Sequence, residues 1–359
     1  MGLLEIARDF AVANWDNAIM WVIGGILIYL AIKKDMEPAL LLPMGFGAIL
    51  INIPFSGAEG VMSSLFAIGI EMNEIMPLVL FIGIGAMIDF GPLLSNPKLF
   101  LFGGAAQFGI FLTILLAAAC GFSIEDAASI GIIGAADGPT SIVVAQTLKS
   151  NYVGPIMVVA YSYMALVPII QPAVIKLTTT KKERLIRMEY KPASVSKRTK
   201  ILFPILVTIV SGLIAPASLS LVGMLMFGNL IRECGVLNYL TDTAKDVLTN
   251  LVTLFLGITI AFTMKAENFI TVQTLMIMGL GLCAFIFDTF SGVMLAKVMN
   301  LFLKEKINPM IGAAGISAFP MSARIVQKMG IKEDPTNHLL MHAVGANVSG
   351  QIASAIVGG

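Results

Sequence analysis

Residues 99–119 carry no charged side chain, and apolar stretches of similar kind recur at about 18–32, 39–53, 75–90, 153–176, 201–214, 217–231, 248–264, 270–287 and 337–356. In lipid a backbone must satisfy its own N–H and C=O groups, so such runs fold as helices. A bilayer core about 30 Å thick needs about 20 residues of helix to cross it. Of the 359 residues, 57% are hydrophobic and 13% charged. A soluble domain carries about 25% charged residues, so this chain lacks the charge to cover a water-facing surface. Mean hydropathy of +0.90 agrees. The expectation is an all-α polytopic membrane protein. Net charge of +1, with no basic patch interleaved with aromatics, gives nucleic acid no footing. Cys120, Cys234 and Cys283 are scattered and imply neither a disulfide frame nor a metal cluster. Residues 1–16 read as a short amphipathic lead-in with Glu5 and Asp9. No small-residue cleavage site follows the first apolar run, so that run is expected to stay in the protein.

One element breaks the pattern. Gly131-Ile-Ile-Gly-Ala-Ala-Asp137-Gly-Pro139-Thr-Ser141 is an apolar, small-residue run that stops at a carboxylate, turns at Gly138-Pro139 and restarts at Ile142. Pro139 has no N–H and fits a first helical turn, while Gly138 lets the chain break. Two half-helices are expected to meet at Asp137 and Thr140. Interrupted backbone inside a membrane is tolerated where it lines a cavity, and its freed carbonyls with a carboxylate suit a small hard cation.

The halves of the chain resemble each other. Leu41-Leu-Pro-Met-Gly-Phe-Gly-Ala-Ile-Leu50 aligns with Leu221-Val-Gly-Met-Leu-Met-Phe-Gly-Asn-Leu230, and Ile133-Gly-Ala-Ala136 recurs as Ile311-Gly-Ala-Ala314. A second broken element is therefore expected at 308–327. Residues 177–200 hold the densest positive charge, including Lys181, Lys182, Arg184 and Arg187, and the positive-inside rule makes this loop cytoplasmic. With Lys33, Lys34 and Lys98 also inside, that holds only if 127–148 enters and leaves on the outer face. The expected architecture is two inverted repeats of about five spans each. Residues 1–176 form the first, with a re-entrant hairpin at 127–148, and 177–200 link it to the second at 201–359. The second hairpin, at 308–327, enters from the cytoplasm, and the two tips meet near the midplane.

Asp137 is the leading candidate ligand, because a carboxylate at bilayer depth costs at least about 2.5 kcal/mol and faces a cavity or a partner; a solvated Asp-Gly-Pro turn is the alternative. Asn308 opens the second break and offers a side-chain carbonyl or a plain helix cap. Ser317 sits in the opposing turn. Arg324 lies just past it and either pairs with a carboxylate or snorkels to the cytoplasm. Asn347 and Ser349 set polar groups among small residues of the last span, in a pattern equally suited to close helix packing. Tyr163 is mid-span, where a phenol relays a proton or serves as a hydrogen-bonded core residue. His338 and His342, one helical turn apart without accompanying carboxylates or cysteines, read as structural.

Gly134-Ala-Ala-Asp-Gly-Pro-Thr-Ser141, Asn308-Pro-Met-Ile-Gly-Ala-Ala-Gly-Ile-Ser-Ala-Phe-Pro320 with Arg324, and Gly345-Ala-Asn-Val-Ser-Gly-Gln-Ile352 together resemble a known family over almost the whole chain. It is the membrane β subunit of the sodium-pumping, biotin-dependent decarboxylases, which include oxaloacetate, methylmalonyl-CoA and glutaconyl-CoA decarboxylases. The resemblance implies a subunit that decarboxylates carboxybiotin and couples that step to Na+ export with proton consumption. It implies sodium-binding and proton-exchange roles for Asp137, and a part in sodium binding or passage for Asn308, Gly312, Ser317 and Asn347. Tyr163 and Arg324 match residues associated with the proton route and with binding carboxybiotin or sodium.

No Ala-Met-Lys-Met biotin-attachment sequence is present, and Met264-Lys265-Ala266 is the nearest approach. Carboxybiotin is therefore expected on a biotin-carrier protein, with a carboxyltransferase subunit, a small single-span membrane subunit and further copies of the membrane subunit as partners. The bacterial cytoplasmic (inner) membrane is the expected location. The 177–200 loop and the Lys304–Lys306 rim are candidate docking surfaces. A stand-alone sodium–carboxylate symporter or sodium–proton antiporter would share the repeats and the buried acid, but would act without a biotinylated partner. A mere anchor would need one or two spans.

Overall fold

The computed structural model describes residues 15–34, 36–54, 57–72, 74–190 and 195–358, so the expected lead-in lies outside it apart from Trp15 and Asp16. Among the described residues every regular element is helical. α1 spans Trp15–Lys34 and α2 Pro38–Ile51. α3 (Ala58–Phe66) runs on into a π-helical turn at Ala67–Glu71, and α4 covers Ile75–Met87. Then come α5 (Phe100–Ala105), α6 (Phe108–Ala119), α7 (Ile124–Gly131), α8 (Gly138–Thr147) and α9 (Val153–Thr178). After the basic loop follow α10 (Lys197–Ile214), α11 (Leu219–Cys234), a π-helical turn at Thr243–Leu248, α12 (Thr249–Ala261) and α13 (Val272–Phe302). The chain ends with α14 (Met310–Ala313), α15 (Met321–Glu333) and α16 (Leu340–Val357).

Six helical segments are long and apolar enough to cross a membrane, and seven if the α3–α4 pair, bent by 61°, forms one span. The other expected crossings fall on shorter helices such as α2 and α11, or on α10, which opens with Lys197 and Arg198. Exposed side chains such as Val22, Ile26, Phe111, Leu115, Ile209 and Leu213 would be a liability in water and suit lipid contact.

The order of elements recurs. A long helix, a short helix, a π-turn leading into an apolar helix, a long span, a broken pair and a closing helix appear in α1–α9 and again in α10–α16. The halves interlock, α2 packing on α12 and α4 on α11. Helices α5 to α9 and α13 to α16 pack largely among themselves, and α13 and α16 run past both broken pairs. That arrangement positions the site.

One expected span is met with a local irregularity and another is corrected. The span expected at 99–119 falls within Pro97–Ala119, which is long and apolar enough to cross a membrane, and its chain loosens at Ala106 and Gln107 between α5 and α6. A buried acid stands across the packing from that point. Asp288, fully buried on α13, accepts from the N–H groups of Gly109 (2.5 Å) and Ile110 (3.3 Å), satisfying the free donors of a new helix start. The span expected at 270–287 ends one residue short of that aspartate, whereas α13 carries on to Phe302. His338 also lies before the start of α16 rather than one turn from His342 on it. It meets Gln327 at 3.2 Å, while His342 stands edge-on to Tyr190 with 5.6 Å between ring centroids.

Candidate cation site

The first break is built by local chemistry. Ser123 caps α7 by accepting from the Asp126 N–H at 3.1 Å. After Gly131 the helix tightens into a 3-10 turn at Ile132–Ala135, Ala136 turns left-handed at φ 53°, and Asp137 is extended. Pro139 then starts α8 without wasting an N–H. Asp137 is 4% exposed. Its Oδ2 accepts from Thr140 Oγ1 (2.8 Å), Gln351 Nε2 (2.7 Å) and Ser354 Oγ (3.2 Å), while its carbonyl accepts from Ser141. Every one of these donors is neutral, Oδ1 makes none of the three bonds, and among the described residues no cationic side chain pairs with the acid. A buried carboxylate left with neutral donors favours a bound cation or a proton.

The second break faces it. α14 is a single turn, residues 314–320 are non-helical, and the Ser317 N–H donates to the Ala135 carbonyl at 3.0 Å, so the interruptions touch directly. Ser317 Oγ donates to the Gly350 carbonyl at 2.9 Å. Asn347 Nδ2 donates to the Ile316 carbonyl at 2.6 Å, leaving its buried Oδ1 without a partner. Gly312 lies backbone to backbone with Gly292 of α13; a Cβ there would fall 1.9 Å from the Gly292 oxygen. Asp137, Gly312, Ser317 and Asn347 thus belong to one neighbourhood around the two breaks.

Each broken pair has its feet tied together. In the first, Asp126 accepts from Ser150 Oγ (2.7 Å), the Asn151 N–H (2.9 Å) and Asn151 Nδ2 (3.2 Å), joining the start of α7 to the end of α8. In the second, Asn308 donates to the carbonyls of Arg184 (2.9 Å) and Ile186 (2.8 Å), and Asn337 reaches the same two carbonyls from beyond α15. Arg184 also pairs with Glu333 at 2.7 Å. The Asn308 amide is therefore engaged at the foot of the second pair, its Oδ1 receiving the Met310 N–H at 3.0 Å, rather than beside Asp137.

The remaining candidates lie elsewhere. Arg324 is exposed in the first turn of α15. Tyr163 donates its hydroxyl proton to the Met278 carbonyl and lines an apolar crevice with Ile19 and Leu27. Ser349 links α16 to α5 through Leu99 and Gly103. Lys265 is held by Glu59 and lies 5.0 Å over the Phe262 ring. At the end of the molecule that carries the basic loop, a cavity of about 1060 Å³ is lined by four basic side chains, Lys98, Arg187, Lys304 and Lys306, against two acidic ones, Glu189 and Glu305. Gln351 and Ser354 were not singled out from the sequence. The signal for them was there: Asn347, Gln351 and Ser354 repeat at i, i+4 and i+7, one stripe of a helix.

A membrane protein helical in every regular element of its described residues, with an acid buried where two interrupted helices touch, has the make-up of an ion-translocating machine. Residues 16–359 match the family described as the Na+-transporting oxaloacetate decarboxylase beta subunit, and the chain belongs to that family. It is 51% identical to the methylmalonyl-CoA decarboxylase subunit beta of Propionigenium modestum, over 96% of this chain and 94% of that one. Against the glutaconyl-CoA decarboxylase subunit beta of Acidaminococcus fermentans the identity is 50%, over 100% and 96%. Against the oxaloacetate decarboxylase beta chain of Klebsiella pneumoniae it is 43%, over 96% and 94%. The chain is thus a membrane subunit of a sodium-transporting decarboxylase of the bacterial cytoplasmic membrane, and the stand-alone transporter reading gives way.

Proposed function

We propose that this subunit decarboxylates carboxybiotin delivered by a partner and couples that step to Na+ export and proton uptake, with Asp137 as the exchanging carboxylate. One observation carries the reading: an acid 4% exposed, ringed by neutral donors, where two helix interruptions touch. Sodium held by Asp137 leaves when the carboxylate takes up a proton. On the biotin side the N–CO2 bond breaks, carbon dioxide departs and a proton joins the biotin nitrogen. Asp137, protonated from the outside and deprotonated as sodium enters from the cytoplasm, links the two events.

Ser317 supplies a further oxygen from the second break, and Asn347 another from α16 through its unpartnered Oδ1. Gly312 acts by letting α14 and α13 touch, and Asn308 by fixing the foot of the second hairpin. Tyr163, bonded to Met278, belongs to the proton route by holding α9 against α13. Arg324 meets carboxybiotin from the cytoplasmic side. The basic cavity beside the 177–200 loop is the mouth through which an anionic carboxybiotin approaches. The recurring element order and the tied feet support two inverted repeats, 1–176 and 201–359, with hairpins entering from opposite faces toward the midplane. A biotin-carrier protein, a carboxyltransferase, a small single-span subunit and further copies of this chain complete the complex. The carboxyltransferase selects the acid, since relatives of similar identity carry the names of different substrates.

The test is sodium-dependent decarboxylation and sodium uptake by the assembled complex in proteoliposomes. Asp137→Asn should abolish both. Normal turnover with intact uptake would remove Asp137 from the mechanism.

A further inference from the structure

Two tyrosines of α9 stand two residues apart in very different surroundings. Tyr163 spends its hydroxyl proton on the Met278 carbonyl. Tyr161 is 1% exposed, and its hydroxyl has no hydrogen-bond partner. Its ring is pressed onto Gly138, where a Cβ would lie 2.3 Å from Cζ, the carbon that bears the hydroxyl. Gly138 directly follows Asp137, so the hydroxyl is held at the first break, within electrostatic reach of the carboxylate. Met44, Leu80 and Ile142 belong to the apolar cluster around the ring and offer the oxygen nothing in return.

We propose that the Tyr161 hydroxyl oxygen is a ligand of the cation that Asp137 holds. The inference rests on the reading of Asp137 given above. A buried hydroxyl without a partner is unfavourable, and a phenol oxygen carries lone pairs suited to a hard cation. Sodium beside Asp137 gives this oxygen the partner that the protein does not. The ligand set then draws on three elements: the α7–α8 break, the second break with α16, and α9. Gly138 is required because any side chain there would lever the phenol off the site. This gives Asp-Gly a second meaning besides turn formation: the missing side chain is the seat of the aromatic ring.

The experiment measures the half-saturating sodium concentration for decarboxylation by the reconstituted complex, in wild type and in Tyr161→Phe, Tyr163→Phe and Gly138→Ala. Tyr161→Phe keeps the ring and removes only the oxygen. It should raise the half-saturating sodium about tenfold, equivalent to about 1.4 kcal/mol, and leave turnover at saturating sodium near wild type. Gly138→Ala should shift it in the same direction. Tyr163→Phe should move turnover rather than the half-saturating concentration. A wild-type sodium requirement in Tyr161→Phe, or a loss of turnover alone, overturns the ligand role while an inactive Asp137→Asn leaves the parent reading standing. Wild-type behaviour of Asp137→Asn as well would bring down both.

Discussion

The two broken helix pairs share a plan and differ in chemistry. Both interrupt an apolar element, both have their feet tied, and both present their breaks to α16. The first carries a carboxylate and is closed by another, Asp126, that collects three donors. The second has no charge at its turn and is closed by two asparagines that grip the 184–186 carbonyls. Two similar frames are thus present, and only one receives the charge. Two carboxylates facing each other at this distance from water would repel, and one would stay protonated. One acid with neutral oxygens opposite avoids that conflict.

Exchanging the two chemistries should break the comparison most severely. In Asp137→Asn combined with Ser317→Asp, proteoliposomes should retain less than about a hundredth of wild-type decarboxylation, a loss of at least about 2.7 kcal/mol in the barrier. Gln351 and Ser354 face residue 137, while the Ser317 hydroxyl points to the Gly350 carbonyl, so the moved acid finds no donors. Recovery of sodium-dependent turnover would show that the frames are interchangeable. A smaller effect tests packing. Gly312→Val would drive a side chain into the Gly292 oxygen, whereas Gly134→Ala meets the Asp288 carboxylate oxygen that makes no hydrogen bond, at 2.4 Å, and the Ala284 methyl group at 2.8 Å. The first should cost about 3 kcal/mol and the second about 1 kcal/mol, read as thermal melting of the purified protein in detergent. Equal melting would mean that the second break is not backbone-limited. The smallest effect concerns the feet. Asn308→Ala should cost about 1 kcal/mol, because Asn337 still reaches the Arg184 and Ile186 carbonyls while the Met310 N–H loses its acceptor, with faster hydrogen exchange at 184–186 and none at 150–151. Asp126→Ala should show the reverse pattern, and exchange spreading across both hairpins from either variant would deny them separate footings.

Much of this design was legible in the sequence, for reasons that are local. Gly138-Pro139 after a small-residue run specifies a break whatever surrounds it, and the 133–136 and 311–314 echo marks its counterpart. What escaped was tertiary. Tyr161 and Tyr163 share one tripeptide, and about 200° of helical rotation separates them. Only packing decides which of them meets the acid. Asp288 looked like the end of a span, because nothing nearby in sequence reveals that Gly109 and Ile110 will supply its donors. Asn308 had the composition of a ligand and of a cap, and its amide went to a loop more than a hundred residues earlier in the chain. Gln351 and Ser354 were visible as a stripe, yet small-residue helices so often pack closely that the stripe alone named no function.

The hydrogen bond from Ser317 to Ala135 has a bearing on how cargo departs. Stitched at their apexes, the arms part like jaws only by breaking a hydrogen bond between two peptide groups, in a place where water is scarce to replace it. Translation of the joined pair past its surroundings, or side chains swinging aside, would free the cargo without breaking that bond.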